Sequence, residues 1–240
     1  MKIESHIRKA ILLMIVLGLF YAGINSVFGV QGATSISAGT SSRANFSETS
    51  SASVAVQAGN VTELNITGSG VTDHWAGFYG EISGNITLGD SSGKVFYDWT
   101  GLNALVGEVF ASTDNAVSWS GIGCAGATEI ADIETSLGIL ATDADRINRT
   151  YTSSAHPTFD VGTVTGITGC NSTNAYTNTG KDASTFYQIL LTDTEGDPVY
   201  TTLINDSTTG FNSVAHDFQL LVGEEDSAAT TDLYFYLELG

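Results

Sequence analysis

The side chains with chemistry to offer fall into four groups. Seven asparagines head Asn-X-Ser/Thr triplets: Asn45, Asn60, Asn65, Asn85, Asn148, Asn171 and Asn205. Such triplets accept N-linked glycans in exported chains and mark surface positions. The cysteines are Cys124 and Cys170. In an exported chain two cysteines pair, and closing the long loop between them is worth ~3–4 kcal/mol. Their spacing fits neither a zinc ribbon nor a CxxC redox site. Asp193, Glu195 and Asp197, in the run TDTEGDP, offer oxygen ligands to calcium. The run departs from the EF-hand pattern and lacks its distal Glu, so the simpler reading is a turn at Gly196-Asp197 with no metal. The histidines are His6, His74, His156 and His216, and neither HExxH nor GxSxG occurs. In a chain so rich in Ser and Asp, a triad or a carboxylate pair drawn at will has no weight. We therefore assign no catalytic residue, no enzyme activity and no cofactor.

The elements that position these groups read as short strands between turn signals. Asp73 to Leu88 (DHWAGFYGEISGNITL) organises them, opening on the cluster Trp75, Phe78 and Tyr79 and then alternating. Ile82, Gly84, Ile86 and Leu88 fall on one face, and Glu81, Ser83, Asn85 and Thr87 on the other. The expectation is an apolar buried face with the Asn85 triplet on the wet face. A Gly- and Asp-rich turn, 89–93, leads to a hairpin partner over Lys94 to Trp99. Val61 to Thr67 alternates, with Asn65 pointing away from Leu64 and Ile66. Further strands are expected at 107–112, 116–119, 161–167, 186–191, 199–204, 218–222 and 233–239. Ala127 to Leu140 differs, placing Ile130, Ile133 and Leu137 at helical spacing with Thr128 as a cap. Glu129, Asp132 and Glu134 fall elsewhere around that helix, and Asp143 to Asn148 can add another turn.

The fold expected is all-β: a sandwich of roughly ten strands over 54–240 with a small helical insert near 126–148. Trp75, Phe96, Trp99, Trp119, Tyr234 and Tyr236 are the aromatics expected to fill its core. Ahead of it, residues 1–32 read as a signal peptide. Lys2, Arg8 and Lys9 form the basic region and Ala10 to Ala22 the apolar one. Gly29 and Gly32 each have Val two positions earlier, so the mature chain begins near Val30 or Ala33. An uncleaved anchor would need a longer apolar run. A pilin-type cut between Lys9 and Ala10 is a third possibility. Residues 33–53 form a Ser/Thr-rich flexible arm, with donation of a strand to a neighbouring subunit as a sharper alternative.

The chain has 240 residues and a formal net charge of −18 at pH 7, with 8 Lys+Arg and a charged fraction of 14%. That field repels phosphate backbones and anionic membranes, which argues against nucleic acid as a partner. The low charged fraction separates the chain from highly charged disordered tails. After leader cleavage no stable membrane span is expected, and the chain is placed at the extracellular surface.

The words WAGFYG and SGNITL, then VFYDW, GEVFAS, HDFQLLV and the terminal YFYLEL, resemble a family of uncharacterised secreted archaeal surface proteins over about Val54 to Leu239. The resemblance implies export and an envelope or filament role, and it brings no catalytic residues. The function expected is a secreted, glycosylated structural protein that self-associates or joins other envelope proteins. The alternative is a surface-displayed module binding carbohydrate or calcium.

Overall fold

The structure, a computed structural model, describes residues 29–44, 53–103, 106–225 and 230–239. Residues 1–28, most of the segment read as a signal peptide, and Asn45 lie outside them. The protein is all-β with a small helical insert. In chain order the strands are β1 (Gln31–Gly32), β2 (Trp75–Gly80), β3 (Ser83–Gly89), β4 (Val95–Asn103), β5 (Gly107–Ser112), β6 (Gly123–Cys124), β7 (Phe159–Val161) and β8 (Val164–Ile167). They continue as β9 (Ser172–Asn174), β10 (Tyr176–Thr177), β11 (Gly180–Lys181), β12 (Tyr187–Thr192), β13 (Pro198–Leu203), β14 (Thr208–Thr209), β15 (Ala215–His216), β16 (Phe218–Gly223) and β17 (Tyr234–Leu239). The helices are α1 (Ala127–Ser136) and α2 (Ile147–Thr150). Among the described residues no helix is long and apolar enough to cross a membrane.

A seven-stranded antiparallel sheet in the order β1-β17-β5-β13-β12-β6, with β9 also on β12, forms the centre. Period-two alternation sends its side chains to two cores. Val109, Ala111, Leu190 and Tyr200 face one way and pack with Leu220 and Val222 of β16, Phe78 of β2, and Ile130, Ile133 and Ile147 of the helices. Phe110, Ile189, Leu191 and Val199 face the other way and meet Val117, Ile122, Phe159, Val161 and Ile167. β12 and β13 are consequently buried on both faces, and their sequences YQILLT and PVYTTL run nearly without solvent-facing charge. The sandwich is uneven: the two-stranded sheet β2–β16 and the helices cover one face, and the hairpin β7–β8 covers much of the other.

Gln188 ties the layers together. It is fully buried, and its Nε2 donates to the Gln219 carbonyl of β16 at 2.6 Å and to the Phe186 carbonyl at 2.8 Å. Its Oε1 accepts from the Leu221 N–H at 2.7 Å. A polar side chain survives there because its partners are satisfied inside the core.

Several expectations are corrected. Asp73 to Leu88 is two strands in different sheets, β2 on β16 and β3 on β4. The break falls at Glu81-Ile82, where the Ile82 N–H leaves the ladder and donates to Asp217 Oδ2 at 2.7 Å. Ile82 packs against the first core, whereas Leu88 is 52% exposed. The apolar face of β3 thus leaves the core along its length, because β4 is its sole strand partner among the described residues. The aromatics divide in the same way: Trp75, Trp119 and Tyr236 pack on the cores, but Phe96 is 84% and Trp99 48% exposed. Tyr234 is also exposed.

Val61 to Thr67 forms no strand, and Val61, Leu64 and Ile66 are exposed. Alternation makes a strand only where a sheet receives it. Residues 116–119 form a loop entering a 3-10 turn, Trp119–Gly121. Residues 161–167 hold a hairpin turn in place of one strand, with Gly162 at φ +57°. The cap of α1 is Gly126, not Thr128, and Glu134 is buried, accepting from the Asn148 N–H at 2.8 Å and pairing with Arg146 at 3.4 Å. The further turn forms at Ile147–Thr150.

Candidate functional site

The acidic run TDTEGDP joins β12 to β13, as a turn should. Asp193 holds it: Oδ1 accepts the N–H groups of Glu195 and Asp197 at 3.0 Å each, and Oδ2 accepts from the Ser118 N–H at 3.3 Å. Gly196 at φ +91° supplies the left-handed residue. The carboxylates that converge are Asp193, Asp197 and Asp114, each offering an oxygen within 4.8 Å of the others. Glu195 is not in this set; its Oε2 accepts from the Thr194 hydroxyl at 2.6 Å. Burial, then the charges of Asp193, Asp114 and Glu195, push the Asp197 carboxyl up. Chemically this is a hard-oxygen donor set suited to a divalent cation. Asp114 was legible only as part of the turn Thr113-Asp114-Asn115, since pairing of β5 with β13 is what brings that turn beside Asp193.

The sulfurs of Cys124 and Cys170 are bonded, with Cα atoms 4.9 Å apart. The bridge fastens β6, at the end of the central sheet, to the segment after β8. His156 sits beside it: the Cys170 N–H donates to Nε2 at 3.0 Å, and Nδ1 lies 2.8 Å from the Pro157 carbonyl. That arrangement uses the neutral ring with its proton on Nδ1. His216 and Asp217 are both buried. His216 Nε2 meets Asn212 Oδ1 at 2.9 Å, and Asp217 accepts backbone N–H groups from Ile82 and Ser207. Both hold loops in place. His74 lies 3.5 Å from Asp143 in a cleft also lined by Leu137, Gly138, Leu140 and Glu225. None of these lining residues brings a hydroxyl or thiol to that pair.

Among the glycan-acceptor triplets, Asn60, Asn65 and Asn148 are exposed. Asn171 is half-buried, and its Nδ2, the atom a glycan would take, donates to the Ala125 carbonyl at 2.9 Å. Asn205 is half-buried and accepts the Phe186 N–H through Oδ1 at 2.8 Å. Asn85 lies on β3, opposite the segment around Trp99 and Leu102, and its side chain is outside the described set.

Two features carried no sequence signal. One is the exposure of the hairpin β3–β4, on which Leu88, Val95, Phe96, Tyr97 and Trp99 are all about half exposed or more. The register sets Leu88 opposite Tyr97, and Tyr97 and Trp99 make an edge-to-face pair at 5.0 Å. The other is Glu108 on β5 directly opposite Glu238 on β17. Burial, reinforced by Glu238 and Asp160, pushes the Glu108 carboxyl up to about 8. Burial likewise raises Glu238, against two hydrogen bonds from the Gly162 N–H at 2.9 and 3.1 Å. No family model matches the chain, and no curated protein or solved structure matches it either.

Proposed function

We propose that this protein is a secreted, glycosylated structural subunit of the cell surface that associates with copies of itself through the hairpin β3–β4. The observation that carries the reading is the exposed apolar surface of that hairpin. A two-stranded hairpin gains little stability alone in water, and the exposed Tyr97–Trp99 pair, with Leu88 opposite Tyr97, marks an interaction surface. The occupant is a second copy, because the edges that no other strand of the described residues covers, and the apolar side chains of one hairpin, match those of another across a two-fold axis. The net charge of −18 sets the condition for assembly. Copies repel one another until salt screens the charge, so association strengthens with ionic strength. The role is non-catalytic and needs no cofactor. The exposed Asn60, Asn65 and Asn148 and the disulfide are the features of an exported surface that support it.

The test is sedimentation velocity of the purified chain in low and high salt, beside a Phe96→Ser/Trp99→Ser variant. Salt-strengthened association in the parent and a monomer in the variant are expected. Equal behaviour of the two would remove the hairpin from the reading. The Asp114, Asp193 and Asp197 oxygens favour a second reading, a surface module that binds calcium. Calcium would then raise the melting temperature of the parent and not of Asp114→Asn.

A further inference from the structure

β1 is two residues long, yet it is the outermost strand of the central sheet. Gln31 pairs with Leu237 and Gly32 with Tyr236, and the Ala33 N–H donates to the Phe235 carbonyl at 3.0 Å. Continuing the register by one residue sets Val30 opposite Glu238, which itself faces Glu108 on the next strand. Val30 packs against the second core, while Gly29 is exposed. Gly162, whose N–H binds the Glu238 carboxylate, has Val30 as the nearest atom to the place of a Cβ, at 4.0 Å. Val30, Glu238 and Glu108 therefore form one row across three strands, with Asp160 close by on the β7 hairpin. Two carboxylates directly opposite one another in a sheet repel. Among the described residues no Lys, Arg or His makes an ion pair with either. The sequence ahead of Val30 carries Val27 and Gly29 at the small-residue spacing of a leader cleavage site.

We infer that the chain is cut between Gly29 and Val30, and that the new α-ammonium of Val30 is the counter-charge of the Glu238–Glu108 pair. The inference rests on the export reading above. The reaction is hydrolysis by an exported-protein leader peptidase: water adds across the Gly29–Val30 amide, leaving a carboxylate on Gly29 and an amine on Val30 that takes up a proton. A cut after Gly32 would discard Gln31 and Gly32 and with them β1, exposing the edge of β17. A cut after Gly29 keeps β1 and creates the positive charge in the row that has none. Residues opposite each other at such a position have Cα atoms about 4.5–5.5 Å apart, and Gly162 has the Glu238 carboxylate on its N–H and the Val30 side chain beside its Cα, which brings the two residues together on one side of the sheet. Processing thus completes the sheet edge electrostatically, and the acidic groups on the elements packed around that terminus are Glu238 of β17, Glu108 of β5 and Asp160 of β7.

Two measurements test this. N-terminal sequencing of the native protein is expected to give Val30. A start at Ala33 overturns the inference and leaves export standing; an intact Met1 overturns both. The second measurement compares chemical unfolding at pH 6.5 of a chain with a hydrophilic tag in peptide linkage to Val30 and the same chain after the tag is removed to free Val30. Release is expected to lower the unfolding constant by about tenfold, the equivalent of one pK unit. In Glu238→Gln, which keeps an oxygen for the Gly162 N–H, release is expected to change it less than twofold. Equal stability before and after release in the parent, or an undiminished gain in Glu238→Gln, overturns the ion pair.

Discussion

Replacing Glu108 by Gln tests how far the carboxylate row stresses the central sheet. The setting is the chain with a hydrophilic tag still joined to Val30, where no new ammonium is present. Glu108 is an acid whose carboxyl is raised from 4.5 to about 8 by burial and by Glu238 and Asp160. The folded state thus holds a proton that the unfolded chain releases. Its contribution to stability is full below pH 4.5 and is lost as pH rises towards about 8. Carrying the group across that interval corresponds to ~5 kcal/mol as a ceiling. Relaxation around the side chain and burial of the substituting amide reduce the gain for Glu108→Gln to about 2 kcal/mol at pH 8.5. Urea unfolding between pH 4.5 and 8.5 reads this directly. The parent should lose stability across the range, and the variant should lose less, so the curves converge at acid pH and part at alkaline pH. Asp197, another raised carboxyl, titrates in both proteins and cancels in the difference, whereas Glu238, which faces Glu108, is relieved of that neighbour in the variant and is part of the gain. Parallel curves would refute the claim that Glu108 is a stressed carboxyl.

Three more outcomes are expected. Gln188→Ala should cost ~2–4 kcal/mol in urea unfolding, because it leaves the Leu221 N–H and the Gln219 carbonyl without their buried partner. Reduction of Cys124–Cys170, 46 positions apart, should lower stability by ~3–4 kcal/mol, and both thiols should resist alkylation until reductant is added. Peptide mass spectrometry of the native protein should find glycan on Asn60, Asn65 and Asn148 and none on Asn171, whose amide nitrogen is engaged with Ala125; a glycan on Asn171 would show that this hydrogen bond is absent when the chain is modified.

Local pattern determined much of this protein. Alternation in GEVFAS, PVYTTL, FQLLVG and YFYLEL placed four strands within about a residue of where they lie. The Ile130 and Ile133 spacing placed α1, the Gly89–Gly93 run placed the turn between β3 and β4, and two cysteines in a chain read as exported anticipated the bridge. These signals are local: each depends on the period of a backbone or the conformational freedom of a turn residue. What alternation cannot say is whether a second layer lies beneath the strand. Ile82 and Leu88 look alike in sequence, yet one packs on the core and the other is 52% exposed, because the hairpin β3–β4 extends beyond the sheet that would have buried it. The same gap hides Val61 to Thr67, which alternates well and joins no sheet among the described residues. Strand order decided the rest. Asp114 meets Asp193 and Asp197 only because β5 lies beside β13, and Glu108 meets Glu238 only because β17 crosses from the end of the chain to pair with β5. Side chains so far apart along the chain carry no mutual signal in one sequence, and only the folded sheet brings their charges together.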